Sequence, residues 1–359
     1  MPETPLYPLK FEPIYKEKVW GGRHLHHVLG RDLPGGDDTP IGESWELADL
    51  PTTSASGGGG NPEHSVVTHG PLAGQTLHDV IETYGPALMG DLPVSDTTGG
   101  FPLLLKFLDA RQNLSVQVHP SPAYADDHDE AHLKSEAWYI LDADPGAVIY
   151  KGIKEGVTPE QLRAALEQNT DDAVVPLMIE VPVKPGDCHY LPSGTCHALA
   201  AGVLVAEVQT PSDTTFRVYD WGRTNRELHV EQALECIDFG PPDVSQYELN
   251  TTLDVRTGQT TRLVVCEFFR MDRYAVRAGE TDQLTHDQPT LWMVLSGEGR
   301  ITCDTPAPGS PSGDTTVTPF GKGQTLLLPP NLPGATVSTE TDCVWIEVTF
   351  PQAGPPRLA

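Results

Sequence analysis

Gln117 and His119 occupy alternate positions in the stretch Leu114-Ser115-Val116-Gln117-Val118-His119-Pro120. Alternate side chains of a strand leave the same face, so an amide and an imidazole are offered to one point. Glu136 opens the next apolar run, Glu136-Ala137-Trp138-Tyr139-Ile140-Leu141. A third piece, Gly186 to His197, has the spacing G-x5-P-x-G-x2-H. A turn at Pro192–Gly194 would reverse the chain and aim His197 inward. Two imidazoles and a carboxylate form a usual set for a divalent first-row ion, zinc above all. The amide oxygen of Gln117 can complete it, with water or substrate in an open position. One metal ion per chain is expected, held by Gln117, His119, Glu136 and His197.

A lone histidine is more often a hydrogen-bonded structural residue than a ligand. Two motifs in order, with strand periodicity, favour the site over that reading. Gln117 is the weakest member, because amides are poor ligands, and it can instead hydrogen-bond a substrate. The acidic run Asp126-Asp127-His128-Asp129-Glu130 reads as a solvated loop. Cys196 should point away from His197 on a strand and is taken as a packing residue. His24, His26 and His27 lack a partner motif and read as the surface of a loop or helix.

The elements around these residues follow from composition and period. Glycine and proline, 34 of each, recur between short apolar runs, which argues for many short strands. Strands are expected at Phe101–Leu108, Leu114–Val118, Glu136–Ala143, Met178–Val183, Val203–Val208 and Thr215–Tyr219. More are expected at Arg262–Phe269, Leu291–Leu295, Gln324–Leu328 and Cys343–Phe350. Three helices interrupt them. Thr76 caps one, with Asp79 in its first turn and Leu77, Val80, Ile81 and Tyr84 on one face. Thr158-Pro159-Glu160-Gln161 begins the second, which buries Leu162, Ala165 and Leu166. Asn225 is read as opening the third, with Val230, Ala233, Leu234 and Ile237 at helical spacing. Two glycine-rich loops, 32–39 and 54–62, are expected to be mobile. A boundary near Gly240-Pro241-Pro242 divides the chain into 1–240, with the metal site, and 241–359.

The bulk numbers narrow the function. The chain has 359 residues and a formal net charge of −27. So negative a surface disfavours nucleic acid and anionic membrane as partners. An anionic small molecule would need a local basic pocket. No apolar run is long enough for a transmembrane helix, and the N-terminus carries no basic-then-apolar signal pattern. The six scattered cysteines read as reduced thiols, and a cytoplasmic location is expected.

The two motifs resemble the cupin superfamily of small jelly-roll barrels, with Gln117 in place of the first histidine of the usual H-x-H…E pattern. That replacement, with Lys134-Ser135-Glu136-x-Trp138-Tyr139, closely resembles the type I mannose-6-phosphate isomerases. Val19-Trp20-Gly21-Gly22, Gly42-Glu43-Ser44-Trp45-Glu46 and Phe101–Lys106 extend the resemblance. So do Leu191–Leu199 and Glu207–Arg217, and together the pieces span roughly residues 6–240. The resemblance implies an all-β-dominated fold of two cupin-like barrels, with a few helices on the N-terminal part. It implies a short bacterial form, without a long helical domain between the metal motifs. It also implies zinc on the four residues above, an active-site lysine and arginine at Lys134 and Arg217, and a glutamate matching Glu207. Lys106 and Ser115 match residues implicated in phosphate contact. A tyrosine found two residues after the last metal histidine in some longer members is Leu199 here, so no role transfers to it. The second barrel lacks metal histidines and is expected to be structural.

An aldose–ketose isomerase acting on mannose 6-phosphate and fructose 6-phosphate moves a proton between C1 and C2 through an enediolate. A zinc ion, Lys134 and Arg217 would stabilise the negative oxygen. Glu207, in the apolar run Val203-Leu-Val-Ala-Glu-Val, is the first choice of base, and His189 competes with it. Lys106 and Ser115, with Arg111 close in sequence, would meet the phosphate. Glu43 is a candidate for the pocket wall, while Trp45 is more simply a packing residue. An iron oxygenase built on His119, Glu136 and His197, or a non-catalytic sugar-binding regulator, are the alternatives.

Overall fold

The computed structural model describes residues 5–54, 60–305 and 315–351. Residues 55–59, at the centre of the second glycine-rich loop, lie outside them. Four antiparallel sheets carry the architecture, joined by a small two-stranded ribbon, among the described residues. A six-stranded sheet runs in the order Cys188–Leu191, Glu136–Ala143, Val203–Gln209, Leu104–Ala110, Ile41–Leu47, Ile14–Gly22. It faces a five-stranded sheet ordered Met178–Pro182, Val148–Ile153, His197–Leu199, Val116–Val118, Phe216–Tyr219. Trp138, Leu108 and Val205 from the first meet Ile149 and Leu199 from the second, closing a barrel interior. A seven-stranded and a four-stranded sheet close the second barrel around Trp292, Trp345, Ile301 and Val337.

The two large sheets pack back to back. Leu105, Phe107, Tyr139, Leu204, Ala206 and Val208 share one apolar cluster with Leu263, Met271, Leu291 and Ile346. This explains the near-continuous apolar sequence of Val203–Gln209. Val203 and Val205 face the barrel interior, whereas Leu204, Ala206 and Val208 face the neighbouring sheet. A strand buried on both faces has no polar side to alternate with. Glu207 and Lys106 therefore stand out as charges inside the barrel. The first strand, Leu9–Lys10, crosses over and pairs with Thr325–Leu328 of the seven-stranded sheet.

Two helix starts match their sequence signals. Thr76 and Asp79 form a capping box on Leu77–Tyr84, and Thr158 and Gln161 form one on Pro159–Gln168. Leu162, Ala165 and Leu166 pack with Val116, Val118 and Ala198 of the five-stranded sheet. The third helix is corrected: it spans Val230–Cys236, with His229 before it, and does not open at Asn225. Residues just ahead of it are held elsewhere. Arg226 bonds the Asp220 carboxylate, and the Glu227 carbonyl accepts from Arg217 Nη1 at 2.8 Å. Asp126 and Asp127, read as loop, close a short exposed helix, Pro122–Asp127. All six cysteines are free and buried, Cys196 among them.

The barrels repeat one buried pair. In the first, Trp138 Nε1 donates to Glu207 Oε1 at 3.0 Å; in the second, Trp292 Nε1 donates to Glu347 Oε2 at 2.9 Å. The next strand places Lys106 opposite Glu207 but Asp272 opposite Glu347. Burial and then the Asp272 charge outweigh the Trp292 hydrogen bond, pushing the Glu347 carboxyl up from 4.5 to about 7. An acid with a raised folded-state pKa stabilises fully below its unfolded pKa, and that contribution is lost as pH rises through the folded value. At ~1.4 kcal/mol per pH unit the loss is on the order of 3 kcal/mol between pH 4.5 and about 7. Glu347→Gln keeps the acceptor for Trp292 and is expected to abolish this decline. Melting temperature against pH checks it: the variant should exceed the parent at about pH 8 and approach it at about pH 4.

Candidate active site

The turn Pro192–Thr195 sets His197. Thr195 N–H donates to the Pro192 carbonyl at 3.1 Å, and Gly194 takes φ of 86°. A Cβ on Gly194 would also lie 2.5 Å from Asp238 Oδ2, so both conformation and space call for glycine. His197 then enters a strand opposite Gln117, whose other neighbour in register is Arg217. Strand alternation carries His119 to the same side, and the neighbouring sheet supplies Glu136.

His119, Glu136 and His197 offer ligand atoms that all lie within 4.8 Å of one another. His119 Nε2 is 3.4 Å from Glu136 Oε2, and His197 Nε2 is 3.2 Å from Oε1. The Gln117 amide nitrogen is 3.3 Å from His197 Nε2. Turning that amide end for end presents its oxygen to the same point. The outer nitrogens are fixed by main-chain carbonyls. His119 Nδ1 donates to Thr214 at 3.0 Å and His197 Nδ1 to Thr195 at 2.8 Å. Each ring therefore turns an Nε2 lone pair inward, as histidine ligands of metals do. Burial, with the Lys134 charge, lowers the pKa of His119 to about 3, so it is a neutral donor. Glu136 is fully buried, and its Oε2 pairs with the Lys134 ammonium while Oε1 faces His197 Nε2. Burial alone would raise its pKa, but Lys134 and His119 hold it well below the usual carboxylate range. Lone pairs facing a buried carboxylate fit a divalent ion that accepts nitrogen and oxygen.

Gln117 and Lys134 line the inner end of a cavity of about 450 Å³. Lys134 Nζ reaches Glu136 Oε2 at 2.5 Å and His119 Nε2 at 3.1 Å. Across the six-stranded sheet a row of registered residues runs along the cavity, with Glu207, Lys106 and Trp45 lining it. Trp138 faces Glu207, Glu207 faces Lys106 and Lys106 faces Trp45. Trp138 holds Oε1 of Glu207, while Oε2 has no hydrogen bond and sits 3.3 Å from Lys106 Nζ. Burial raises the Glu207 pKa, with Lys106 acting against it. Lys106 lies 5.0 Å over the Trp45 ring, and its pKa is raised because Glu207 and Glu43 outweigh its burial.

Glu43 accepts from Trp45 Nε1 at 2.7 Å and pairs with Lys18 at 3.1 Å. Burial would raise its pKa, but Lys18 and Lys106 bring it down to about 2. It is a fixed negative charge in the wall. Ser115 and Arg217 also line the cavity. Arg217 Nε is buried with no hydrogen-bond partner.

Two expectations change. His189 does not line the cavity: it pairs in register with Trp138, whose indole stands between it and Glu207. Its pKa falls through burial, then through the Lys151 charge. Arg111 is exposed and also lies off the cavity. Lys18 and Arg226, which also line it, were not singled out by any motif, whereas Asp213 lies within the Glu207–Arg217 stretch without an assigned role.

Paired cupin barrels, one with an inward His/Glu/His group beneath a charged cavity, define a metal-site protein of the cupin class. Residues 8–149 match the profile of the phosphomannose isomerase type I catalytic domain. Mannose-6-phosphate isomerase ManA of Bacillus subtilis is 35% identical over 344 residues, which cover 94% of this chain and 98% of that protein. The mannose-6-phosphate isomerase of Streptococcus mutans is 35% identical over 303 residues, covering 82% and 87%. The crystal structure of the B. subtilis mannose 6-phosphate isomerase superposes with a TM-score of 0.79 at 29% identity, covering 96% of this chain and all of that one. The chain belongs to the type I mannose-6-phosphate isomerase family.

Proposed function

We propose that this chain interconverts mannose 6-phosphate and fructose 6-phosphate, with one zinc ion held by Gln117, His119, Glu136 and His197. The observation that carries the proposal is the cavity itself. A buried glutamate, with one oxygen held by Trp138 and the other facing Lys106, shares it with Lys134, Arg217 and the proposed ligand Gln117. When bound, the ion supplies positive charge for a carbonyl oxygen and for the negative charge that grows on oxygen during isomerisation.

The residues of the chain account for the remaining steps. Glu207 Oε2 takes the carbon-bound proton from C2 of the open-chain aldose and returns it to C1, passing through an enediolate. The hydroxyl proton moves from O2 to O1. Lys134 and Arg217 donate to the oxygens as they gain charge. Trp138 holds Oε1, so Glu207 presents one fixed oxygen rather than a rotating carboxylate. Lys106 and Ser115 receive the phosphate. Lys106, Lys134 and Arg217 supply local positive charge for the phosphate within a chain of net charge −27.

A cytoplasmic site of action is part of the same proposal, since all six buried cysteines are unpaired. No helix among the described residues is long and apolar enough to cross a membrane. We also propose 1–240 as the catalytic unit and 241–359 as a barrel without metal.

The test is a coupled assay for fructose 6-phosphate formed from mannose 6-phosphate, run beside an oxygen electrode. Turnover without oxygen uptake supports the isomerase. Oxygen consumption with no fructose 6-phosphate supports an oxygenase instead. Lys106→Ala is expected to narrow the preference for phosphorylated over free mannose, in kcat/KM, by at least about tenfold. An unchanged ratio removes Lys106 from phosphate binding.

A further inference from the structure

A second group of ligand atoms converges well outside the cavity. Asp49 and His64 face each other in the ribbon formed by Asp49–Leu50 and Glu63–His64. His78 arrives from the first turn of helix Leu77–Tyr84, which is tied to the ribbon's exit by Leu77 N–H donating to the Ser65 carbonyl at 2.8 Å. One atom from each residue lies within 4.8 Å of the other two.

The geometry goes beyond proximity. Asp49 is 1% exposed, and Phe101 N–H donates to its Oδ2 at 2.9 Å. That bond fixes the carboxylate and turns Oδ1 toward the two rings. His64 Nδ1 lies 2.6 Å and His78 Nδ1 3.2 Å from Oδ1. His78 Nδ1 is nonetheless buried without a hydrogen-bond partner. Its other nitrogen, Nε2, lies 3.6 Å from the Glu82 carboxylate one turn along the helix. The His64 and His78 side chains keep 22% and 33% of their surface exposed, so an ion has a path in and water can complete its shell.

We propose that Asp49, His64 and His78 bind a second divalent first-row cation of the zinc type, with a structural role. Two nitrogens and one oxygen from three separate segments suit that chemistry. The ion would pin the ribbon to the helix.

The test is a metal count. Protein stripped with a chelator, re-equilibrated with micromolar Zn²⁺ and desalted is measured by inductively coupled plasma mass spectrometry. The parent should hold about two zinc per chain and His78→Ala about one. His78→Ala should keep parental isomerase activity and lose part of the rise in melting temperature that Zn²⁺ gives the parent. Glu136→Gln, which damages the other site, should still hold about one zinc, and that zinc should be lost in Glu136→Gln/His64→Ala. The Glu136→Gln count stands even if His78→Ala does not fold. A parent with about one zinc and Glu136→Gln with none would overturn the second site. Equal counts in the parent and His78→Ala would do the same, leaving only a histidine–carboxylate hydrogen-bond network.

Discussion

Glu136→Gln is expected to empty the catalytic metal site and to lower turnover of mannose 6-phosphate by at least about a thousandfold. Glu136 is the only anion among the four proposed ligands. Gln117 is neutral, and His119, with its pKa lowered to about 3 by burial and Lys134, is a neutral imidazole. With an amide at 136, a doubly charged ion would sit in a buried pocket with no opposite charge. Lys134 Nζ, 2.5 Å from the Glu136 carboxylate, would add a third positive charge. In a medium that screens charge poorly such a cluster is strongly unfavourable. The substitution preserves shape, so circular dichroism should be unchanged while zinc content and kcat both fall. Retained zinc at this site with normal kcat would separate Glu136 from metal binding.

Glu207→Gln is the second large effect. Zinc should stay bound, because Glu207 touches Trp138 and Lys106 rather than the ligands. The amide still accepts from Trp138 Nε1, so the indole keeps its place. The side chain can no longer take a proton from carbon, and kcat should fall by about a hundredfold or more. The pH profile carries an independent readout. Burial raises the Glu207 pKa above the ordinary glutamate value despite Lys106. Activity needs the carboxylate, so kcat/KM of the parent should rise with pH through a midpoint above about 4.5. Residual activity of Glu207→Gln should lack that limb. A variant with parental kcat and an unchanged acid limb would show that the base is another group.

Local features of this chain were legible because they follow local rules. The strand built on the apolar run Ala137–Leu141 spans Glu136–Ala143, the range expected for it. Thr76 and Thr158 announced their helices by capping chemistry that acts over three residues. The alternation of Gln117 and His119 placed both on one face, and the Pro192–Gly194 turn delivered His197 opposite Gln117. Strand order is different, because it is set by contacts distant in sequence. His189 does lie in register with Trp138, on a strand beside that of Glu136, as a competing base would need. Only the order of strands reveals that the Trp138 indole separates it from Glu207. Lys18 and Arg226 were missed for the same reason: their approach to the cavity depends on Glu43 and Asp220, far from the metal motifs. The hairpin of Glu248–Val255 with Gly258–Val265 escaped in part because its first strand is exposed, with Leu249, Leu253 and Val255 spaced among polar residues and no buried face.

The most direct test of a single catalytic cation is turnover of mannose 6-phosphate before and after removal of metal. Chelator-stripped protein should retain less than about one hundredth of its rate and recover it when Zn²⁺ is returned. Stripped protein that turns over at the original rate would contradict the account.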